Sequence, residues 1–203
     1  MENIYTITMM ASIATFTLST VLSPGPNNIM LLTSGLTFGY KRTLPHMLGI
    51  ILGFPFMVVL IGLGLGAIFE LYPVVFIVLK YVCMLYLIWM AYKIATNTSA
   101  IDVNNKSKPF NFIQSAAFQW LNPKAWIMAV TSMSVFVTSN DNTILQVLII
   151  AFIYLLSGIV STNSWTLGGV VLKKFLKDEK VIKIFNRTMA ILLIVSILPF
   201  IFE

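Results

Sequence analysis

Two short polar motifs interrupt apolar stretches that are long enough to cross a membrane. The first is Ser23-Pro24-Gly25-Pro26-Asn27-Asn28 and the second is Asn122-Pro123-Lys124-Ala125. Proline lacks a backbone N–H and clashes with the preceding helical turn, so each motif predicts a broken helix. In hydrocarbon, irregular backbone persists only where it lines a cavity enclosed by protein. The two motifs therefore predict a binding site, and a simple proline kink is the alternative for the first of them.

A broken helix presents partial charges of both signs at one place. The carbonyls that end the upstream half are partially negative, and the N–H groups that begin the downstream half are partially positive. Such a pair of helix ends can hold the ammonium and the carboxylate of an amino acid together. The predicted substrate-binding residues at the two breaks are Pro24, Gly25, Pro26, Asn27, Asn28, Asn122, Pro123 and Lys124.

Three polar residues in apolar stretches need separate explanations: Lys124 in the second motif, and Asn163 and His46 elsewhere in the chain. Lys124 places a cation in an apolar stretch, where charges usually face a cavity; snorkelling towards the cytoplasmic interface is the alternative. Asn163 needs a hydrogen-bond partner at its depth, and we predict that it lines the same cavity. His46 is the only histidine. It is interpreted first as an interfacial polar residue and second as a proton relay.

Composition places the chain among helical membrane proteins. Of the 203 residues, 58% are hydrophobic and 10% are charged, whereas a soluble domain has about 25% charged residues. The net charge of +6 comes from short basic clusters between apolar stretches, which favours a role in topology over nucleic-acid binding. No cluster of residues has metal-ligand spacing, and no Asp or Glu falls inside a predicted span. We therefore predict no metal, no cofactor, no nucleic-acid partner and no enzymatic activity.

The lengths of the apolar stretches predict six transmembrane helices, because a span needs about 20 residues. Helices one and four contain the two breaks. A polar linker, residues 96–110, separates two halves, residues 1–95 and 111–203, of a single transmembrane domain. The predicted spans are residues 3–40, 43–69, 72–92, 111–137, 144–172 and 184–202.

The basic residues predict how these spans are oriented. They follow spans one, three and five: Lys41, Arg42, Lys93, Lys106, Lys108, Lys173, Lys174, Lys177, Lys180, Lys183 and Arg187. By the positive-inside bias these loops are cytoplasmic and both termini face outwards. Since three spans is an odd number, the second half is inverted relative to the first. Two inverted three-helix repeats with broken first helices are typical of secondary transporters that bind substrate near the membrane midplane.

Several motifs of the chain resemble those of one transporter family. They are Ser23-Pro-Gly-Pro-Asn-Asn28, Gly49-x-x-x-Gly53, Tyr86-Leu-Ile-Trp89 and Gln119-Trp-Leu-Asn-Pro-Lys-Ala125. Together they resemble the LysE/RhtB family of amino-acid exporters, and in particular its cysteine and O-acetylserine branch. The resemblance implies six spans, export across the bacterial inner membrane and secondary energetics. Phe54 departs from the polar or acidic residue that many members carry there.

We therefore expect a multi-pass protein of the cell inner membrane that exports neutral amino acids or related metabolites. The candidate substrates are of the cysteine/O-acetylserine, homoserine/threonine or leucine type. We further expect coupling to a proton, and a homodimer as the assembly. A channel and a non-transporting structural membrane subunit are the alternatives.

Overall fold

The computed structural model describes residues 6–65, 71–96, 108–137, 142–175, 179–195 and 198, and every regular element in them is a helix. These described residues form eight α-helices: α1 (Ile7–Leu22), α2 (Pro26–Phe38), α3 (Tyr40–Leu60), α4 (Pro73–Thr96), α5 (Phe112–Phe118), α6 (Pro123–Phe136), α7 (Thr143–Leu172) and α8 (Glu179–Val195). A π-helical turn, Ile61–Leu65, extends α3, and a 3-10 turn, Gln119–Leu121, follows α5. The all-α class is confirmed for the described part of the chain.

Both predicted helix breaks are present. The first predicted helix consists of α1 and α2, which are bent by 57° at Ser23-Pro24-Gly25. Pro26 takes the first position of α2, where its missing N–H interrupts no helical hydrogen bond. Asn27 and Asn28 therefore lie inside the restarted helix. The fourth predicted helix is likewise divided, because α6 restarts at Pro123 after the 3-10 turn.

Two described helices, Tyr40–Leu65 and Thr143–Leu172, are long and apolar enough to span a membrane, and the bent pair α1–α2 makes a third. The other apolar helix of note, Tyr81–Thr96, is shorter. The number of six spans, their inverted arrangement and the division into halves remain predictions, and most of the proposed linker (residues 97–107) lies outside the described residues.

The helix α8 begins at Glu179, five residues before the predicted boundary of 184. Lys180 and Lys183, which the sequence places before the sixth span, are thus helical. With Arg187 they are spaced three and four residues apart, which places them on one face, while Met189 and Leu193 are buried elsewhere on the helix. The helix therefore extends beyond the predicted span with a charged face.

The longest helix, α7, is central and packs against α1, α2 and α3. Its contact with α2 depends on small residues, because a Cβ at Gly169 would overlap the Leu32 carbonyl and one at Gly35 would overlap the Thr166 carbonyl. On α3, a Cβ at Gly53 would lie 2.7 Å from the Ala116 Cα. Close approach of helix backbones at small residues is the usual packing of membrane helices.

Substitution at Gly169 is expected to destabilise the protein. Gly169→Ala should cost about 1–3 kcal/mol, because the added methyl group meets backbone atoms that cannot move aside locally. Gly158→Ala is the matched control on the same helix, since its Cβ would meet no atom within 4 Å; there alanine should be neutral or stabilise by up to about 1 kcal/mol. Melting temperatures of the two purified variants test this. Equal shifts would contradict the close contact between α2 and α7.

Large apolar side chains cover much of the outer surface of α4 and α7. On α4 the exposed residues include Tyr81, Leu85, Ile88, Trp89 and Tyr92, and on α7 they include Leu148, Phe152, Leu156, Val160, Leu167 and Val171. Apolar exposure on this scale marks a surface that meets a partner or lipid. With spans of this length, it indicates a membrane protein.

Candidate functional site

The first break leaves the carbonyls at the end of α1 without helical partners. Ser23 is extended, with ψ of 146°, and Gly25 has φ and ψ of 175° and 178°. The end of α1 must therefore find donors elsewhere in the protein. The Ser23 backbone N–H still makes a helical hydrogen bond, because it donates to the Ser19 carbonyl of α1.

Neutral side chains from α2 and α7 supply most of these donors. Asn28 Nδ2 donates to the Val21 carbonyl (2.6 Å) and to the Ser23 carbonyl (2.8 Å). From α7, Ser161 Oγ donates to the Val21 carbonyl at 2.7 Å, and Trp165 Nε1 donates to the Leu22 carbonyl at 3.2 Å. These contacts explain why Asn28 and Ser161 are buried despite their polarity.

Lys124 links the second break to the first. Its Nζ donates to the Ser23 carbonyl at 2.8 Å, to Ser23 Oγ at 2.6 Å and to the Pro24 carbonyl at 3.2 Å. Its backbone N–H is capped by Asn122 Oδ1 at 3.2 Å, so the side chain extends from the first turn of α6. An ammonium has three N–H donors, and all three have acceptors here. The lysine therefore points into the first break.

A second link between the breaks joins Asn27 and Gln119. Asn27 Nδ2 donates to Gln119 Oε1 at 2.8 Å, and Gln119 Nε2 donates to Asn27 Oδ1 at 3.3 Å. Gln119 Nε2 also donates to the Ser115 carbonyl at 2.8 Å, and the glutamine is fully buried. The sequence analysis did not select Gln119 as a site residue. Its signal was present, because an amide deep in an apolar stretch needs a partner.

The two breaks line one cavity of about 50 Å³. A water molecule needs about 10–15 Å³, so the cavity suits a solute of a few heavy atoms. Among the described residues that line it, Lys124 is the one that carries a charge. The lining residues are Val21, Gly25, Pro26, Asn27, Asn28, Ile50, Ile51, Phe54, Pro55, Asn122, Lys124, Ala125, Met128, Tyr154, Gly158, Ser161 and Thr162.

The apolar wall of the cavity contains a pair of aromatic side chains. Phe54 is buried and packs edge-on against Tyr154, with ring centroids 4.9 Å apart. The Tyr154 hydroxyl shares a hydrogen bond of 2.7 Å with Ser132 Oγ and donates to the Met128 carbonyl at 3.2 Å.

Six of the predicted site residues line the cavity: Gly25, Pro26, Asn27, Asn28, Asn122 and Lys124. Pro24 and Pro123 lie beside it without lining it, and Pro24 contributes its carbonyl to Lys124.

The prediction that Asn163 lines the cavity is wrong. Its Oδ1 accepts a hydrogen bond of 2.6 Å from the Tyr40 hydroxyl, and its Nδ2 donates to the Ile159 carbonyl at 2.7 Å. Successive helical residues are rotated by about 100°, so Ser161 and Thr162 face the cavity while Asn163 turns towards α3. Asn163 joins two helices outside the site.

His46 is buried within the protein, and its position near the membrane interface stays a prediction. It is 2% exposed, and its ring centroid lies 5.4 Å from that of Phe110. Among the described residues, neither ring nitrogen has a hydrogen-bond partner. His46 does not line the cavity, although Ile50, one helical turn later, does.

Metal binding has no support in the described part of the chain, where no three His, Cys, Asp or Glu side chains come together. Cys83 is buried and its thiol donates to the Trp120 carbonyl at 3.6 Å, which is a packing role.

Comparison with known proteins assigns the family. Residues 18–201 match the model of the LysE type translocator. A cysteine/O-acetylserine efflux protein of Salmonella choleraesuis is 31% identical over 162 residues, which cover 79% of this chain and 82% of the relative. The protein of the same description from Escherichia coli strain K12 is 29% identical over 174 residues, or 85% of this chain and 88% of the relative. No solved structure matches significantly. The chain therefore belongs to the family of LysE-type translocators, and it is a helical membrane transport protein.

Proposed function

We propose that this protein is a secondary transporter that exports small neutral amino acids or closely related metabolites, such as cysteine and O-acetylserine, across the cell inner membrane. The observation that carries the proposal is the meeting of two broken helices at one small cavity. Among the described residues that line this cavity, Lys124 alone is charged. The relatives named as cysteine/O-acetylserine efflux proteins support the substrate class.

In this proposal the substrate carboxylate binds at the start of α2. This helix begins at Pro26 after Gly25, without a side-chain cap, so its first N–H groups and its positive dipole end are available to an anion. Asn27, Asn28 and Asn122 contribute amide groups to the same cavity. Ile50, Ile51 and Met128 offer apolar contacts for a short uncharged side chain.

No carboxylate is present among the described residues that line the cavity. This predicts that neutral amino acids are better substrates than cationic ones. Proteoliposomes preloaded with unlabelled serine, cysteine or O-acetylserine should accumulate the labelled compound by counterflow, whereas lysine and arginine should be exchanged at least about tenfold more slowly. A second positive charge would be desolvated beside Lys124 without an opposing charge. Robust lysine exchange would contradict this prediction. Protein-free vesicles are the control, and uptake without counterflow would favour a channel.

Proton coupling, a role for His46 as the relay and a homodimer remain predictions. Dependence of accumulation on an imposed pH gradient in the same vesicles tests the coupling ion. A structural membrane subunit would give no substrate-specific flux at all.

The proposed topology has both termini outside and the linker at residues 96–110 in the cytoplasm. In a Cys83→Ser background, Ser99→Cys should resist an impermeant thiol reagent in intact cells and react after the cells are opened. Ser139→Cys is the matched control on the opposite side and should react in intact cells. The expectation follows from the basic residues Lys93 and Lys108 that flank the linker. Labelling of Ser99→Cys from outside would remove the case for inverted repeats.

A further inference from the structure

Three oxygen atoms at the end of α1 form a complete shell for one ammonium group. The Ser23 carbonyl, the Ser23 hydroxyl and the Pro24 carbonyl lie 2.8, 2.6 and 3.2 Å from Lys124 Nζ. The Ser23 hydroxyl donates its own proton to the Thr20 carbonyl at 2.8 Å, which leaves its lone pairs free to accept. This donor and acceptor pattern, at the negative end of a helix dipole, suits a primary ammonium.

Gly25 makes room for this ammonium. A Cβ at position 25 would lie 2.8 Å from Lys124 Cδ and 3.1 Å from Nζ. The φ of Gly25 is 175°, which is extended backbone that other residues adopt, so the glycine is needed for space and not for its conformation. Gly25 and Lys124 both line the cavity, and the ammonium shell therefore lies at the wall where a solute would sit.

The helix end does not depend on Lys124 alone. Asn28, Ser161 and Trp165 provide donors for the carbonyls of Val21, Leu22 and Ser23. These neutral donors keep the end of α1 capped when the lysine moves. Lys124 has a flexible four-carbon stem, so its ammonium can leave the shell when a second ammonium replaces it.

We propose that the three oxygens form a binding subsite for a primary ammonium group. Lys124 occupies this subsite before the substrate binds, and the amino group of the substrate then displaces the lysine. The inference rests on the proposed function, because it identifies the substrate by its amino group. One ammonium replaces another, so no oxygen of the shell loses its donor. The displaced Lys124 ammonium is then free to pair with the substrate carboxylate at the start of α2.

The subsite can be tested by amine rescue of the full-length protein in detergent. In Lys124→Ala the shell is empty, and n-butylammonium should raise the melting temperature with a saturable concentration dependence. The unchanged protein should show no such rise, because its tethered lysine already fills the shell.

Two control compounds test which property of the amine matters: n-butanol has no charge, and tetramethylammonium has no N–H. Lys124→Met, whose side chain fills much of the space without a charge, should be stabilised less by the amine than Lys124→Ala. Equal effects of n-butylammonium and n-butanol on Lys124→Ala would overturn the proposal.

A measurement on the unchanged protein covers the case in which the variants do not fold. O-acetylserine and N-acetylserine are isomers that differ in whether the amino group is free. In counterflow at mildly acidic pH, which suppresses acyl migration, N-acetylserine should compete at least about tenfold more weakly than O-acetylserine, as expected when a hydrogen-bonded charged group is lost. Equal competition would overturn the subsite while leaving the exporter intact. Amine rescue without any amino-acid flux would support the subsite and refute the proposed function.

Discussion

Export by Lys124→Arg should fall about ten- to a hundredfold below that of the unchanged protein at matched abundance. The Lys124 ammonium occupies a shell of three oxygens beside Gly25. The space is tight, because a Cβ added at Gly25 would lie 2.8 Å from Lys124 Cδ. The guanidinium is planar and larger, so it fits neither this shell nor the place where the displaced ammonium would pair with the substrate carboxylate. A hydrogen bond to a charged group contributes about 1.5–3 kcal/mol, which corresponds to the expected factor.

Lys174→Arg is the matched control for this substitution. Lys174 is exposed after the end of α7, so the same chemical change should leave export within about twofold. The measurement is uptake of labelled O-acetylserine into inverted vesicles, or its efflux from loaded vesicles, normalised to the amount of protein. If Lys124→Arg retains the flux of the unchanged protein, Lys124 anchors the helix and takes no part in transport.

Asn28→Leu should lower both the stability of the protein and its export rate. Leucine has nearly the same shape but cannot donate to the Val21 and Ser23 carbonyls, and Ser161 loses an acceptor, at 3.3 Å. Two lost hydrogen bonds at a buried helix end should cost about 2 kcal/mol or more. For a chain of this length, that loss lowers the melting temperature by about 4–8 °C. Export should fall at least about tenfold, because the carbonyls that shape the cavity lose their fixed position.

Asn163→Leu provides the comparison. Asn163 is also an asparagine in an apolar helix, but its hydrogen bonds go to Tyr40 and Ile159 outside the cavity. Loss of the Tyr40 contact should cost about 1 kcal/mol and leave export within about twofold. Thermal unfolding and vesicle flux of the two purified variants give both readouts. A greater loss of export in Asn163→Leu than in Asn28→Leu would return Asn163 to the site and remove the proposed role of Asn28.

Features fixed by local covalent chemistry could be predicted from the sequence. The breaks at Ser23-Pro24-Gly25 and before Pro123 lie where proline's missing N–H predicted them, although α3 continues through Pro45 and Pro55. The apolar stretches and their polar boundaries predicted an all-α membrane protein, because each residue's cost in hydrocarbon depends little on its distant neighbours. The resemblance of these same motifs to the LysE/RhtB family agrees with the family match over residues 18–201.

Partners across the fold depended on the tertiary structure. The contact of Lys124 with Ser23 joins residues 101 positions apart, and that of Asn27 with Gln119 joins residues 92 apart. Whether Ser161 or Asn163 faces the cavity depends on the rotation of α7 against α1 and α3. The sequence does not reveal it, because residues 161–164 are all polar and point around the helix. Local chemistry therefore determined where the helices break, and only packing decided which side chains complete the broken ends, because hydrogen-bond partners are chosen by proximity in space.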